Sequence, residues 1–293
     1  MASLRDLLGE AEVQVVHAHG AKALLVAKVA LNKSGLPLIA TSHGLAAFDP
    51  TRPLTQRVLL QAAERWRRQG IAAFIGVSRQ ECQLAARLGI PTERTHLIPN
   101  GVPIGPDPEP RQGFVHHLAF AGRLVPEKGV RLLPQIAQSL PPGAILHVAG
   151  EGPMGGWLVR QAKGSGIAGR LQVEGWVEPL SSWLAKMDAL VLPSAKEGLP
   201  YALLEAAERA LPIVAFDVGG VRDLLAEGLS GRVVPAGQRG AFIAAVRDLC
   251  QQRTRQWAWG RRAREAVSGR FTVEEMQRAT VALYRQILDK GAH

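Results

Sequence analysis

Two positive charges lie five residues apart in a loop bounded by glycines, Gly122-Arg123-Leu124-Val125-Pro126-Glu127-Lys128-Gly129. Glycine lets a backbone approach a ligand closely, and a guanidinium together with an ammonium suits a phosphate or a diphosphate. The sequence therefore predicts that Gly122, Arg123 and Lys128 bind an anion. A charged loop that caps a helix starting near Gly129 explains the same spacing equally well.

Two carboxylates, Glu197 and Glu205, flank a second candidate anion site. Pro200 between them favours the first turn of a helix, where its missing N–H would be unpaired anyway. The N–H groups of a first turn have no partner inside the helix and favour an anion. The residues predicted to surround that anion are Gly198, Leu199, Pro200 and Ala202. The carboxylates would accept hydrogen bonds from ligand hydroxyls. The alternative is a helix whose acidic first turn is stabilised by the helix dipole.

Three histidines lie close to the ends of the first two predicted strands. His43 belongs to Thr41-Ser42-His43-Gly44, where an imidazole can hydrogen-bond a substrate hydroxyl or a charged transition state. His17 and His19 share one face of the first strand, which raises the question of a metal site. No third ligand is identifiable, so we predict a structural or acceptor-side role for His17 and His19 and no metal.

The elements that position these residues indicate an α/β fold, because short β-branched segments alternate with segments of helical periodicity. Ligands of parallel sheets bind beyond the carboxyl ends of the strands. The turn Gly150-Glu151-Gly152-Pro153 lies at such an end and adds Gly152 to the candidate ligand contacts. Strands are predicted at residues 13–17, 37–42, 74–77, 95–98, 118–121, 145–149, 171–174, 189–192, 213–216 and 232–234.

Two domains are predicted from the length of 293 residues and from the segment 99–113, which is rich in Pro and Gly. The expected boundaries are residues 1–103, with four strands, and 104–271, with six. Both are expected to be doubly wound. The last segment, 272–293, carries an apolar stripe that includes Val281 and Leu283, and we expect it to pack back on the N-terminal domain.

Composition favours a polyanionic partner, because Lys and Arg number 35 against 25 for Asp and Glu. Four arginines cluster in one helical segment and predict contact with an anionic lipid surface: Arg57, Arg65, Arg67 and Arg68.

The two cysteines, Cys82 and Cys250, form no disulfide or metal pattern, which fits a reducing compartment. No apolar run reaches the ~18 residues of a membrane span, and residues 1–10 have the pattern of a short amphipathic helix. A cytoplasmic location is therefore predicted.

In combination, these loops resemble the retaining glycosyltransferases of family 4, which have the two-domain GT-B fold. The resemblance runs through nearly the whole chain, and its specificity lies in the order and spacing of the motifs. The matching motifs are Val15-Val16-His17-Ala18-His19, Thr41-Ser42-His43-Gly44, Ile98-Pro99-Asn100-Gly101-Val102, Gly122-Arg123-Leu124 with Lys128-Gly129, Gly150-Glu151-Gly152-Pro153, Glu197 with Glu205, and Val218-Gly219-Gly220.

The resemblance implies a role for each matching residue. Arg123 and Lys128 would bind the diphosphate of a UDP-, GDP- or ADP-sugar, and Glu205 would hold the ribose hydroxyls. Glu197 would contact the transferred sugar, and His43 would reach that sugar from the other domain. The amides of residues 198–202 would cradle the distal phosphate, and the backbone of residues 174–177 would contact the base. No metal and no other cofactor is expected, and the acceptor would be lipid-linked or a polysaccharide.

The sequence also departs from the family pattern. The His-Ala-His strand starts about a dozen residues into the chain, where family members usually have further strand–helix units before it. Pro103 stands where many family members have an acidic residue after Asn-Gly-Val, and Asp223 stands where they have a glutamate. An N-terminal sheet with an open edge would pair with a second copy or a partner chain.

The alternative function is therefore a catalytically weak subunit that binds nucleotide sugar and needs a partner for the acceptor. A nucleic-acid binder rests on charge alone, and a nucleotide-sugar epimerase lacks support.

Overall fold

The computed structural model describes residues 8, 12–31, 34–45, 53–109, 114–226, 228–251 and 253–291. The chain divides into two compact units, one formed by Met1–Asn100 with Glu274–His293 and the other by Gly101–Val273. The helix predicted over residues 1–10 lies outside the described residues, except for Leu8.

The first unit contains a four-stranded parallel sheet. Its strands are β1 (Val16–His19), β2 (Leu38–Ser42), β3 (Ala73–Gly76) and β4 (Thr95–Leu97), and they lie in that order across the sheet. Helices α1 (Gly20–Ala30), α2 (Leu54–Arg68) and α3 (Arg79–Arg87) connect them, with a 3₁₀ turn at Thr92–Arg94 before β4. Buried apolar strands of this kind are typical of parallel sheets covered on both faces.

The first strand lies further along the chain than the sequence predicts. The expected strand covers residues 13–17, whereas β1 begins at Val16 and ends at His19. The reason is the pairing: Val16 lies opposite Leu38 and His19 opposite Thr41, so the strand runs only where β2 offers it a neighbour. Both histidines of the His-Ala-His segment consequently lie inside the strand, and their side chains project from the same face.

The second unit contains a six-stranded, fully parallel sheet with the order β10-β9-β8-β5-β6-β7. This order confirms the doubly wound fold predicted for this unit, since the chain winds outward in one direction from β5 and in the other from β8. In the first unit the described strands follow chain order, so that sheet winds in one direction only. The strands are β5 (His117–Ala121), β6 (Ile145–Ala149), β7 (Leu171–Gly175), β8 (Ala189–Leu192), β9 (Ile213–Phe216) and β10 (Arg232–Val234).

Helices cover both faces of the second sheet and complete the core around Phe120, Leu133 and Phe242, which are fully buried. The helices are α4 (Leu133–Ser139), α5 (Gly155–Gly164), α6 (Leu180–Leu184), α7 (Tyr201–Glu208), α8 (Val221–Leu224), α9 (Arg239–Gln251) and α10 (Arg253–Arg270). Two 3₁₀ segments, Pro126–Lys128 and Val130–Leu132, precede α4.

The last helix, α11 (Val273–Gly291), contributes to the core of the first unit. Its Leu283 packs in a buried cluster with Ile39, Ala73 and Ile75. Val281 was expected in the same apolar stripe, yet it is 43% exposed, because Leu283 and the residues one helical turn away from it form the buried face.

The first part of the predicted linker is tied to the second unit. The N–H of Gly105 donates to Glu208 Oε1 at 3.0 Å, and Arg264 donates to Asp107 Oδ1 at 2.9 Å and to Glu208 Oε1 at 3.0 Å. Glu208 and Arg264 are both buried, so this network fixes the segment onto α7 and α10. Residues 110–113 of the predicted linker lie outside the described residues.

The predicted arginine cluster is divided in the structure. Arg65 is exposed on α2, whereas Arg68 is buried and forms an ion pair with the buried Glu64 one turn earlier. The expectation that Arg68 contacts a lipid surface is therefore wrong. The side chains of Arg57 and Arg67 lie outside the described part of the structure. No helix in the described part is both long and apolar enough for a membrane span.

Candidate functional site

A crevice at the switch point of the second sheet holds the main candidate site. Strands β5 and β8 are neighbours, and the connections that leave them run to opposite sides of the sheet. Ligands of doubly wound proteins bind at this position, beyond the carboxyl ends of the two strands. Lys128 lies in the segment that follows β5, and Glu197 lies in the segment that follows β8.

Lys128 and Glu197 form a bidentate ion pair in this crevice. The ammonium Nζ of Lys128 donates to both Oε1 and Oε2 of Glu197 at 2.7 Å. The Glu197 side chain is 5% exposed and that of Lys128 is 21% exposed, so water screens the pair only in part. The two sequence motifs that were predicted separately thus form one charged site.

Close packing between the two loops brings the lysine to the glutamate. Gly129 adopts φ +73°, and a Cβ at this position would lie 2.0 Å from the carbonyl oxygen of Pro193. The N–H of Ala195 also donates to the carbonyl of Glu127 at 2.8 Å. Only glycine accommodates both this conformation and this approach. The hypothesis that the loop merely caps a helix near Gly129 does not account for these contacts.

The loop after β9 supports Glu197 from the other side. Gly219 adopts φ +57°, and a Cβ there would lie 2.4 Å from the carbonyl oxygen of Glu197. The neighbouring Gly220 donates its N–H to the carbonyl of Gly198 at 2.5 Å. The Val218-Gly219-Gly220 motif therefore fixes the backbone on which the Glu197 carboxylate is carried.

The sequence predicts Pro200 in the first turn of a helix, but helix α7 begins one residue later, at Tyr201. Pro200 is the N-cap, with φ −73° and ψ 133°, and its carbonyl accepts from the N–H of Leu203 at 3.1 Å. The prediction of Pro200 inside the helix is therefore wrong. The proline ring can take the N-cap position because extended backbone is compatible with its fixed φ. The first-turn N–H groups of Tyr201 and Ala202 still lie at the helix N-terminus.

Glu205 lies one turn into α7 and is half-buried. Burial raises the pKa of its carboxyl, and repulsion from Glu208 raises it further, while Arg209 acts in the opposite direction. Glu208 on the same helix is occupied by its contacts with Arg264 and Gly105. The two carboxylates therefore have different environments, since Glu205 borders solvent and Glu208 is part of a buried network.

Arg123 is not part of the Lys128–Glu197 pair. Its side chain is 71% exposed, and its guanidinium lies 3.7 Å from Glu127 Oε1. An exposed pair of this length contributes little to stability. The guanidinium is consequently able to move towards a ligand at small cost.

Two glycine loops pack backbone against backbone beside Arg123. Gly150 adopts φ +131°, and a Cβ there would lie 2.0 Å from the carbonyl oxygen of Gly122. A Cβ on Gly152 would lie 2.6 Å from the carbonyl oxygen of Leu124. The predicted glycine positions thus keep the loops after β5 and β6 in direct contact, a structural role that the sequence pattern does not distinguish from ligand approach.

The three predicted histidines form a cluster in the first unit. His19 Nδ1 lies 3.1 Å from His43 Nε2, and the two rings are stacked. His17 hydrogen-bonds Thr41 Oγ1 at 2.6 Å and Tyr284 Oη at 2.5 Å. Burial lowers the pKa of His17 to about 4, with repulsion from His19 and His43 as smaller causes, so the ring is neutral near pH 7.

His43 is the exposed end of this cluster. Partial desolvation of its ring lowers the pKa of His43, and the charge of His19 lowers it further. A neutral imidazole at the carboxyl end of β2 can donate or accept one hydrogen bond. Among the described residues, no group of three or more His, Cys, Asp or Glu side chains is arranged to hold a metal ion.

Sequence reasoning missed two residues that support the histidines. Tyr284 reaches His17 from α11, which lies 267 positions away in the chain, so no local pattern reveals it. Glu81 is buried beneath the Ser42–Gly44 loop and accepts hydrogen bonds from it. The pattern Ser78-x-x-Glu81 is typical of a helix N-terminus and is the signal that would have identified this glutamate.

Comparisons with known proteins agree with this geometry. Residues 1–105 match the family model described as Glycosyltransferase Family 4, and residues 115–252 match the model described as Glycosyl transferases group 1. The solved structure of sucrose-phosphate synthase from Thermosynechococcus elongatus has a TM-score of 0.83 with 21% identity, over 94% of this chain and 74% of that one.

Two curated relatives are similar in sequence. The 2-deoxystreptamine N-acetyl-D-glucosaminyltransferase of Streptomyces fradiae is 28% identical over 90% of this chain and 68% of its own length. The UDP-Gal:alpha-D-GlcNAc-diphosphoundecaprenol alpha-1,3-galactosyltransferase of Escherichia coli is 25% identical over 84% of this chain and 68% of its own length. With both family models matched and a doubly wound sheet in the second unit, the chain belongs to the family 4 glycosyltransferases and is a nucleotide-sugar-dependent hexosyltransferase of the GT-B fold.

Proposed function

We propose that the protein transfers a sugar, with retention of the anomeric configuration, from a UDP-, GDP- or ADP-sugar to a lipid-linked or polysaccharide acceptor. The observation that carries this proposal is the Lys128–Glu197 pair at the switch point beside the N-terminus of α7. A cation, a carboxylate and the N–H groups of a helix N-terminus at one crevice suit a ligand that combines a diphosphate with hydroxyl groups.

Each group has a distinct role in this proposal. Lys128 leaves part of its contact with Glu197 to bind the donor diphosphate, and the exposed guanidinium of Arg123 binds the same group. The amides of Gly198, Leu199 and Ala202 receive the distal phosphate, with Gly122, Gly152 and Pro200 lining the approach. Glu197 then accepts hydrogen bonds from the transferred sugar, and Glu205 accepts them from the ribose. The backbone of residues 174–177, at the end of β7, contacts the base.

The chemistry follows from where charge develops. When the bond between sugar and diphosphate breaks, negative charge grows on the departing phosphate oxygen while the sugar becomes oxocarbenium-like. Lys128, Arg123 and the helix N-terminus stabilise the leaving group, which replaces the function of a metal ion. We propose that the acceptor attacks from the face that the diphosphate leaves, with a phosphate oxygen as base, and that His43 hydrogen-bonds the sugar. A lipid-linked acceptor is supported by the similarity to the E. coli galactosyltransferase, whose acceptor is a diphosphoundecaprenol-linked GlcNAc.

Calorimetric titration with UDP, GDP and ADP tests the donor site. We expect one of the three nucleotides to bind with 1:1 stoichiometry, and binding to persist in excess EDTA. Absence of binding by all three would contradict the proposal. Loss of binding in EDTA would contradict metal independence alone.

We further propose a peripheral position on the inner membrane face, with α2 as the contact. Four apolar residues of this helix are exposed by half or more of their surface, while the charged Glu64 and Arg68 are buried on the opposite side. An exposed apolar face with the exposed cation Arg65 beside it suits the interface of an anionic bilayer. The exposed apolar residues are Leu54, Val58, Leu59 and Trp66.

Vesicle flotation separates a specific contact from general charge attraction. Val58→Asp should reduce recovery with anionic vesicles, whereas Val159→Asp on α5 of the second unit, which changes an exposed valine in the same way, should not. Equal recovery of both variants, or equal recovery with neutral vesicles, would reject the lipid contact.

The edge of the first sheet suggests one further partner. Among the described strands, β1 has only β2 as a neighbour, so it forms an edge of the sheet as the structure describes it. We propose that this edge pairs with a second copy or with a partner chain. If the edge pairs with a second copy, light scattering after size-exclusion chromatography should give twice the chain mass. If it pairs with another chain, a transferase assay should show activity only when that partner is present. A monomer that transfers sugar by itself would refute the idea.

A further inference from the structure

The loop that carries His43 is held from beneath by one buried carboxyl group. Glu81, in the first turn of α3, is 2% exposed. Its Oε1 accepts a hydrogen bond from the Ser42 hydroxyl at 3.1 Å and another from the N–H of Gly44. These two donors are the residues immediately before and after His43. A single oxygen atom thus binds the residues on both sides of the histidine, through the side chain of Ser42 and the backbone of Gly44.

The other contacts of Glu81 fix the carboxyl group itself. Its Oε2 accepts from the N–H of Val77 at 3.3 Å, and its own N–H donates to the N-cap Ser78 at 3.2 Å. In an ordinary capping box the glutamate returns to the N–H of the N-cap residue. Here the carboxyl group is instead directed across to the end of β2. The contact joins residues 39 positions apart, which helix capping does not require.

The position of His43 depends on this loop, because its other described contact is with an exposed side chain. His43 Nε2 lies 3.1 Å from His19 Nδ1, and His19 is exposed on β1. The imidazole therefore has one contact with an exposed side chain, and its backbone is fixed by the loop that Glu81 anchors. Misplacing a group by about 1 Å can cost on the order of 100-fold in rate.

We propose that Glu81 is a positioning residue of the transferase, which acts by fixing the Ser42–Gly44 loop so that His43 meets the transferred sugar. This inference rests on the proposed role of His43. Glu81 itself does not touch the substrate. The two acceptor bonds at Oε1 are what the role requires, so an amide oxygen at the same place preserves it.

Two variants and a control distinguish positioning from general stabilisation. Glu81→Ala removes Oε1, whereas Glu81→Gln retains an oxygen that accepts from Ser42 and Gly44. Ser78→Ala removes the N-cap of α3 and leaves the loop bonds in place, so it controls for lost helix stability. Should Glu81→Ala not fold, Ser42→Ala removes one of the two loop bonds with a smaller change in volume.

The imidazole NMR signal of His43 tests the positioning without any substrate. The signal is assigned by its absence in His43→Ala. We expect it to shift in Glu81→Ala or Ser42→Ala and to stay in place in Glu81→Gln and Ser78→Ala. An unchanged His43 signal in Glu81→Ala and in Ser42→Ala would overturn the inference.

Turnover then tests whether the positioning serves catalysis, with release of nucleoside diphosphate as the readout. Glu81→Ala should lower kcat at least about tenfold, leave KM for the nucleotide sugar within about twofold, and recover in Glu81→Gln. In a His43→Ala background the same substitution should have no further effect, because both act through one group. Equal losses in the two backgrounds would overturn the inference. A wild-type protein without turnover would instead refute the proposed function, and the NMR result would still decide the position of His43.

Discussion

Replacing Lys128 by alanine removes the cation that the account places under the donor diphosphate. Charge-assisted hydrogen bonds contribute about 1.5–3 kcal/mol, so the Kd of the nucleoside diphosphate should rise about 10- to 150-fold. The upper part of this range is expected, because Glu197 is only 5% exposed and would remain as an uncompensated negative charge facing the phosphates. Isothermal titration calorimetry measures the change directly.

The pair also predicts a coupling between two substitutions. Removing the negative charge as well, in Lys128→Ala/Glu197→Gln, should make binding tighter than in Lys128→Ala alone, since the repulsion of the diphosphate is gone. Lys163→Ala, at an exposed lysine in the last turn of α5, makes the same change in net charge away from the crevice and should leave the Kd unchanged. Equal weakening by Lys128→Ala and Lys163→Ala would show that the effect is long-range charge and would refute the site.

Three further predictions address the first unit and the loop packing. His43→Ala should lower kcat while the nucleoside diphosphate Kd stays within about twofold, which parallel kinetics and calorimetry check. Burial raises the pKa of the Glu81 carboxyl from 4.5 to about 7, and three hydrogen bonds and the charge of Arg68 offset this effect only in part. The folded state therefore favours the protonated carboxyl, so the stability that this group contributes is complete at low pH and is lost as pH rises towards 7. In urea unfolding, the wild type should therefore lose about 2.5 kcal/mol more than Glu81→Gln between pH 5 and pH 8, and parallel pH curves would exclude the shift. Gly129→Ala, which forces a Cβ against Pro193, should weaken nucleotide binding and lower Tm, whereas Gly164→Ala has open space and should not; equal behaviour would contradict the packing argument.

The strands of the second unit could be predicted closely, because each is a short apolar segment with clear breaks on both sides. The segments at Ile145–Ala149, Ala189–Leu192 and Ile213–Phe216 have the predicted bounds. The β1 strand differs because Val13 and Val15 make the residues before it more β-branched than the strand itself, and only pairing with β2 determines where the strand starts. Local propensity does not contain that information.

The site could be predicted as a set of loops but not as an ion pair. Lys128 and Glu197 are 69 positions apart, and their contact depends on Gly129 lying against Pro193. The order of strands across the sheet determines that packing, and a single sequence shows strand order only through resemblance. Arg68 illustrates the opposite error, because the dense charge of its segment suggests a solvated cluster, whereas tertiary packing buries it with Glu64.

The central claim, retaining transfer from a nucleotide sugar, is tested most directly by proton NMR of the released sugar. The protein is incubated with α-linked UDP-, GDP- and ADP-sugars, with water or a simple alcohol as acceptor, and the first anomer formed is recorded before mutarotation. We expect release of nucleoside diphosphate with an α-configured product, and loss of both in Lys128→Ala/Glu197→Gln. A β-configured first product, or no release from any of the three donors, would contradict it.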